Sequence, residues 1–356
     1  MKSIFQEDHL QLIENRIIDE RENVKQKLIH KSLKIILLYF CLLIIFQSKK
    51  VYRNYFHINL NQNIPIKEES NIKVALCTMG KYENLYANEF VEYYIKLGID
   101  HIFIYDDNDP NTEKISDAIE NKNKLKVTIY DNIKDTIKNQ SDAFNDCYHK
   151  NILNYDWFLM VDMDEFLYIV NDSLKSYLSK TIFDKCDFIK FHWATSTDNN
   201  LVHYDPRPLF QRFKPPYLLD IIVKTIIRSN ISDMHYWVHS PDYSPKRNVT
   251  CNNKGDILDI SNGVNIESVG NVNVEKAFLI HHRFKSTEEF IQKYKRGYSN
   301  WFGDGLNWFL ENNLRLYLTS NNLTMEKINY ISSELNLYLL NYRIKYLLGK
   351  IFFMNY

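Results

Sequence analysis

The residues with the clearest chemical potential are three carboxylates within four positions, Asp162, Asp164 and Glu165, which close the apolar run Trp157-Phe158-Leu159-Met160-Val161. No helical period and no nearby base accompanies them, so the run reads as a strand that ends in a negatively charged turn. Carboxylates this close repel one another, and at least one pKa rises unless a cation lies between them. Hard divalent ions such as Mg²⁺ or Mn²⁺ take such oxygen ligands and often share them with a substrate phosphate. A metal-bound diphosphate is the expected tenant. The plainer alternative is a solvated loop after a buried strand, since Asp-x-Asp alone is a common tripeptide.

The elements that must position this turn are legible upstream. Lys73 to Thr78 is a short apolar strand, and the polar turn after it carries Lys81 and Glu83. From about Leu85 to Leu97, Tyr86, Phe90, Tyr93, Tyr94 and Leu97 recur at helical spacing, and Gly98 supplies a stop. His101 to Tyr105 is a second strand, ending in Asp106-Asp107-Asn108-Asp109-Pro110. A helix capped by Asn111 or Thr112 is expected to run to about Asn121, ahead of a third strand over Leu125 to Tyr130. Gln140 to Lys150 reads as a helix, with Ala143 and Cys147, and Phe144 and Tyr148, paired at i and i+4. The alternation of strand and helix predicts a parallel sheet covered by helices, with ligands at the carboxyl ends of its strands. Lys81, Glu83, Asp106, Asp107, Asp162 and Asp164 would then share one sheet edge. No GxGxxG follows the first strand and no GxxxxGK[ST] occurs, which disfavours a dinucleotide fold or a P-loop. What remains is a nucleotide site that leans on a metal, with Asp106 and Asp107 suited to nucleoside hydroxyls and base N–H groups.

Composition narrows the partners. Lys plus Arg equals Asp plus Glu at 44 each, so no bulk field draws the 356-residue chain to nucleic acid. Five Cys without CxxC spacing suggest neither a zinc site nor a dense disulfide framework, and they leave the redox compartment open. Residues 35–48 are an uncharged apolar run flanked by Lys31, Lys34, Lys49, Lys50 and Arg53. As a helix the run spans about 21 Å, short of the roughly 30 Å hydrocarbon core, but flanking lysines can snorkel to lengthen it. It reads as a single-pass membrane anchor between a polar segment (1–34) and a stem (49–71), followed by a catalytic domain (72–302) and a helical tail (303–356). The oligomeric state is not readable.

Several blocks along this frame carry a family likeness. They are Lys81-Tyr-Glu83 with Tyr86, Glu89 and Leu97-Gly98, then His101-Ile-Phe-Ile-Tyr105-Asp106, then Gln140 with Ala143 and Cys147, then Trp157 and Asp162-Met-Asp164-Glu165-Phe166. Downstream come Phe191-His-Trp193 with Ser196, Gln211-Arg212-Phe213, Lys224-Thr-Ile-Ile-Arg228, His239, and His281-His282-Arg283-Phe284-Lys285-Ser286-Thr287-Glu288-Glu289-Phe290 with Lys293 and Gly297. From about Ile72 to Trp301 the chain resembles glycosyltransferase family 92 and its family-2-like relatives.

The resemblance implies an α/β GT-A domain, a Rossmann-like nucleotide-diphospho-sugar transferase, with an N-terminal helical anchor and C-terminal helices. It implies a nucleotide-sugar donor, UDP-linked by preference, and inverting transfer of a hexose, galactose among the candidates, to a glycan acceptor. A single-pass enzyme of this kind would sit in the Golgi or endomembrane if the source is eukaryotic. By the same resemblance Asp162 and Asp164 would contact ribose and coordinate Mn²⁺ or Mg²⁺, His281 would return to the metal or diphosphate, and Glu165 matches the acidic residue that follows. Lys81, Glu83, Asp106, Asp107 and Gln140 would line the donor. Lys224 and Arg228, four apart and so on one face of a strand, would meet a phosphate or the acceptor; His235 and His239 are weaker candidates. Inversion requires a carboxylate to take the acceptor's proton, and Asp198 is preferred over Glu288 and Glu289, which fall on a helical pattern. Departures from the family pattern fall in the acceptor half: Thr197-Asp198-Asn199-Asn200 after the Ser196 block, Gln211 in place of Glu, and His282 in place of Tyr. Two other classes stay in view, a non-catalytic glycan- or nucleotide-sugar-binding protein of the same fold and a metal-dependent phosphohydrolase. The latter would want Thr or Val where Phe166 stands.

Overall fold

In the computed structural model, residues 55–58, 71–241, 249–258, 272–295 and 313–334 are described. The expected anchor at 35–48, the segment before it and most of the stem lie outside them. Among the described residues no helix is long and apolar enough to cross a membrane.

Among these residues ten strands join one mixed sheet: β1 (Tyr55–Phe56), β2 (Val74–Gly80), β3 (His101–Asp106), β4 (Val127–Tyr130), β5 (Trp157–Met160), β6 (Glu165–Ile169), β7 (Phe188–Thr195), β8 (Tyr217–Arg228), β9 (Thr250–Cys251) and β10 (Ala277–His281). Their spatial order is β4-β3-β2-β5-β8-β7-β10-β6, with β1 beside β8 and β9 beside β7. The half from β4 to β5 is parallel throughout, as the alternation predicts. Beyond β5 the directions mix: β8 is antiparallel to β5 and β7, β10 is parallel to β7, and β6 closes the far edge antiparallel to β10.

Alternating side chains build a core on both faces of the parallel half. Val74 and Leu76 of β2, Ile102 and Ile104 of β3, and Trp157 and Leu159 of β5 face one apolar layer, covered by Tyr86, Phe90, Tyr94 and Leu97 of α1 (Asn84–Leu97). Ala75, Cys77, Phe103, Tyr105, Phe158 and Met160 face the other, covered by Ala143, Phe144, Cys147 and Tyr148 of α2 (Gln140–Asn151). Gly98 ends α1 at φ 109, a left-handed position where its N–H bonds the Ile95 carbonyl.

The helix expected from Asn111 or Thr112 to about Asn121 is absent. In its place stand a 3₁₀ turn at Ile115–Ala118 and one helical turn at Asn121–Lys124. The cause is local capture: Asp106 accepts the backbone N–H groups of Asn108 (2.9 Å) and Ile115 (2.8 Å), and Asn111 takes φ 67, so the chain is held in a loop where helix would begin.

Two disulfides appear that cysteine spacing did not announce. Cys77–Cys147 ties β2 to α2, and Cys186–Cys251 ties the approach to β7 to β9. Partners 70 and 65 residues apart carry no local signature, and closing loops of that size constrains the unfolded chain by about 4 kcal/mol each in the chain-entropy account.

Of the expected tail at 303–356, residues 313–334 are described, and they pack on the domain. Leu314, Tyr317, Leu318 and Ile331 share an apolar cluster with Phe284, Phe290 and Ile291 of the α3 (Thr287–Lys295) region, and Tyr317, on α4 (Arg315–Ser320), stacks on Phe290 at 4.2 Å.

Candidate active site

The carboxylate turn is made by its own residues. The Glu165 N–H donates to the Asp162 carbonyl at 3.0 Å, and Glu165 Oε2 accepts the Asp162 N–H at 3.0 Å. Between them Met163 packs inward against the end of β2, where a Cβ on Gly80 would run into Met163 Sδ. The turn leads from β5, in the middle of the sheet, into β6 at its edge. Strand β10 pairs there with His281 opposite Glu165, and the His282 N–H donates to the Asp164 carbonyl at 2.8 Å. This pairing carries His281 Nε2 to 3.6 Å from Asp164 Oδ1.

Each aspartate of the motif has a lysine. Lys224 Nζ, fully buried, lies 2.9 Å from Asp162 Oδ1, and the Gln140 amide donates to the same oxygen. Burial works against charge on Asp162, yet Lys224 outweighs it and holds the carboxyl below its usual range; burial likewise works to lower Lys224, and Asp162 and Glu165 raise it. Lys293 Nζ, on α3, lies 2.6 Å from Asp164 Oδ2. Against burial, Lys293 and His281 hold Asp164 well below the usual carboxylate range.

Burial disfavours charge on the two histidines nearest the turn. Burial lowers the pKa of His281, whose ring packs on Trp193 at 4.2 Å. Burial and then Lys224 push His239 down to about 3, and its ring lies 5.3 Å from the same Trp193. His281 Nδ1, His239 Nδ1 and Trp193 Nε1 are buried atoms with no hydrogen-bond partner. Orphaned polar atoms gathered at one place are uncommon in a finished core and fit a site that meets ligand groups.

The remaining sequence candidates divide. Gln140, Asp162 and Lys224 come together, as do Asp164 and His281. Glu83 is nearby but committed: it pairs with Lys285 at 3.0 Å, both buried, and Lys285 Nζ sits 3.7 Å above the Tyr86 ring. Asp106 spends both oxygens on the loop described above. Lys81 and the half-buried Asp107, whose pKa burial raises and Lys81 lowers, lie at the carboxyl ends of β2 and β3. His235 is exposed.

Three expectations need correction. Arg228 shares a face with Lys224 but sits at the opposite sheet edge, paired with Trp157 at the start of β5. There it bonds the carbonyls of Cys186 and Phe183 and lies 4.2 Å over the Trp157 ring. Four strand residues separate it from Lys224 by about 13 Å, too far for one phosphate. Glu165 is fully buried and spends Oε2 on closing the turn, and burial, then Asp162, push its pKa well above the usual range, so it does not face open space as a base would. Asp198, the preferred base, is 1% exposed and bound to Lys327 Nζ at 2.7 Å and to the Tyr317 hydroxyl. With the Asn200 N–H on its other oxygen, both carboxylate oxygens are already engaged within the protein. Glu288 and Glu289 do fall on α3; Glu289 pairs with Arg212 at 2.9 Å.

Sequence reading missed Lys293 and Lys327 as partners. Lys293 had a signal, its place in the block that follows His281. Lys327 had none, since a lysine in a polar helical stretch reads as solvated.

Two carboxylate oxygens and an imidazole nitrogen suit Mn²⁺ or Mg²⁺. Among the described residues no group of three or more His, Cys, Asp or Glu forms a metal cage. Asp164 and His281 supply two donors, which suits an ion completed by substrate phosphates rather than by protein alone.

Against known proteins, residues 70–316 match the model of glycosyltransferase family 92. No curated protein matches the chain.

Proposed function

The chain belongs to glycosyltransferase family 92, and from that membership we propose that its domain is a metal-assisted GT-A transferase. It passes a hexose, galactose among the candidates, from a nucleotide diphosphate, UDP by preference, to a glycan acceptor with inversion. The observation that carries this reading is Asp164 beside His281, next to Asp162, at the carboxyl edge of parallel strands.

In this reading Asp164 and His281 would hold Mn²⁺ or Mg²⁺, which would supply charge neutralisation for a diphosphate leaving group. Burial lowers the His281 pKa, which favours the form with a free nitrogen lone pair. Asp162, oriented by Lys224 and Gln140, takes the ribose. Lys81 and Asp107 face the nucleoside from the ends of their strands. Lys293 adds a cation beside the diphosphate that needs no metal. The acceptor's proton goes to a carboxylate other than Asp198, which Lys327 and Tyr317 retain. Two disulfides support an oxidising compartment, in keeping with a lumenal domain behind a single-pass anchor at 35–48. The phosphohydrolase alternative loses ground because Phe166 stands where it would want Thr or Val.

The test is thermal stabilisation of the full chain by UDP, GDP, CDP and ADP with and without Mn²⁺, in wild type and Asp164→Ala. A nucleotide at a hundred times its Kd contributes about 2.7 kcal/mol. Stabilisation by one nucleotide that needs both metal and Asp164 supports the reading; no shift with any nucleotide overturns it.

A further inference from the structure

Away from the carboxylate turn, the surface carries a groove of about 510 Å³ lined by Asn200 to Pro206 and by Glu326. We propose that this groove is an acceptor subsite that seats a neutral sugar ring against Tyr204; the proposal rests on the transferase reading above.

Its position follows from two connections. Strand β7 ends at Thr195, in register with His281, and the next residue, Ser196, donates its N–H to the His281 carbonyl at 3.0 Å, so the groove loop leaves the sheet at the same edge as the Asp164–His281 pair. On the other side the N–H groups of Thr287 and Glu288 donate to the carbonyls of Leu201 and Val202 at 3.0 and 2.8 Å. Helix α3 therefore starts on the groove wall and delivers Lys293 to Asp164 six residues later, about 9 Å along the axis.

The chemistry is that of a polyol site. Tyr204 is 40% exposed, the Arg212 guanidinium lies 5.4 Å from its ring centroid, and the Tyr204 backbone N–H donates to Glu288 Oε2 at 2.9 Å. Its amphipathic ring offers a flat apolar face, and with two side-chain torsions it has little entropy to lose on binding. Glu326 stands exposed beside it to accept hydroxyls. The two arginines beside the groove are each paired with a carboxylate, Arg207 with Asp205 at 2.9 and 2.6 Å and Arg212 with Glu289 at 2.9 Å, which disfavours a phosphate there. That separates this groove from the nucleotide site. The loop enters it through Asn199 and Asn200 at φ 46 and 64, left-handed positions secured by the Asn199 amide donating to the Arg212 carbonyl at 3.0 Å.

The experiment is saturation-transfer NMR on the full chain with methyl β-galactoside, methyl α-mannoside, methyl β-glucoside, N-acetylglucosamine and N-acetyllactosamine as probes. It compares wild type, Tyr204→Ala, Tyr204→Phe and Glu326→Gln, and the UDP–Mn²⁺ thermal shift is recorded on the same samples. The expected result is binding of at least one probe by wild type, a tenfold or greater loss in Tyr204→Ala, a smaller loss in Glu326→Gln and retention in Tyr204→Phe, with the nucleotide shift unchanged throughout. No binding of any probe by wild type, or equal binding in Tyr204→Ala, overturns the assignment. Loss of the nucleotide shift in wild type is a separate reading and counts against the transferase function instead.

Discussion

Lys293 Nζ lies 2.6 Å from one oxygen of Asp164 while His281 Nε2 lies 3.6 Å from the other. The carboxylate is thus shared between a lysine ammonium and an imidazole, and a divalent ion bound there would displace or share the lysine. Lys293→Met is expected to bind free Mn²⁺ roughly tenfold more tightly, the equivalent of about 1.4 kcal/mol, and to bind the nucleoside diphosphate less tightly. Calorimetric titration of each ligand separately checks both signs. Tighter Mn²⁺ with unchanged nucleotide affinity would show that Lys293 only blocks the site.

Asp198 and Lys327 are a buried pair, 1% and 0% exposed in their side chains. Removing one charge strands the other, at a cost of about 3–5 kcal/mol. Lys327→Met should therefore unfold at much lower urea, and adding Asp198→Asn should restore most of the loss. Transfer activity of that double variant then speaks directly to the base: a stable but inactive protein would return Asp198 to catalysis.

Four of the five cysteines are paired, which leaves Cys41. Denatured without reductant, the chain should react with about one equivalent of a thiol reagent, rising to five after reduction. Cys147→Ser should lower stability by about 2–5 kcal/mol, measured by urea unfolding. Five reactive thiols before reduction would refute the pairing.

His282 gives the fold an acid-side weakness. It is fully buried among Phe166, Phe210 and Phe213 with Ser196 Oγ at 3.0 Å, and burial, then Lys285, push it down to about 3. The unfolded chain takes up this proton near pH 6.5 and the folded one does not. Its contribution is therefore complete above about 6.5 and is lost as pH falls toward 3, at up to about 1.4 kcal/mol per pH unit. His282→Tyr should reduce the slope of unfolding free energy between pH 6.5 and 5 by about one proton's worth. An unchanged slope would mean the imidazole titrates freely in the fold.

The sequence by itself determined the parallel half of the sheet, the helices α1 and α2, and the Asp162–Asp164 turn at a carboxyl edge. These are local quantities: a period of two or of 3.6 and a glycine stop are each written within a dozen residues. It failed between Asn111 and Asn121, where one side chain, Asp106, competes with the helix for backbone N–H groups. The tertiary structure alone decided which distant groups meet. Spacing put Lys224 and Arg228 on one face, but only the antiparallel pairing of β8 with β5 decided that Lys224 reaches Asp162 while Arg228 lies at the other edge. Lys293 meets Asp164 across 129 residues, and Lys327 meets Asp198 from a helix beyond the family match. Burial is the physical reason. A charge taken out of water must find its counterpart wherever the fold brings one, and no local pattern records that choice.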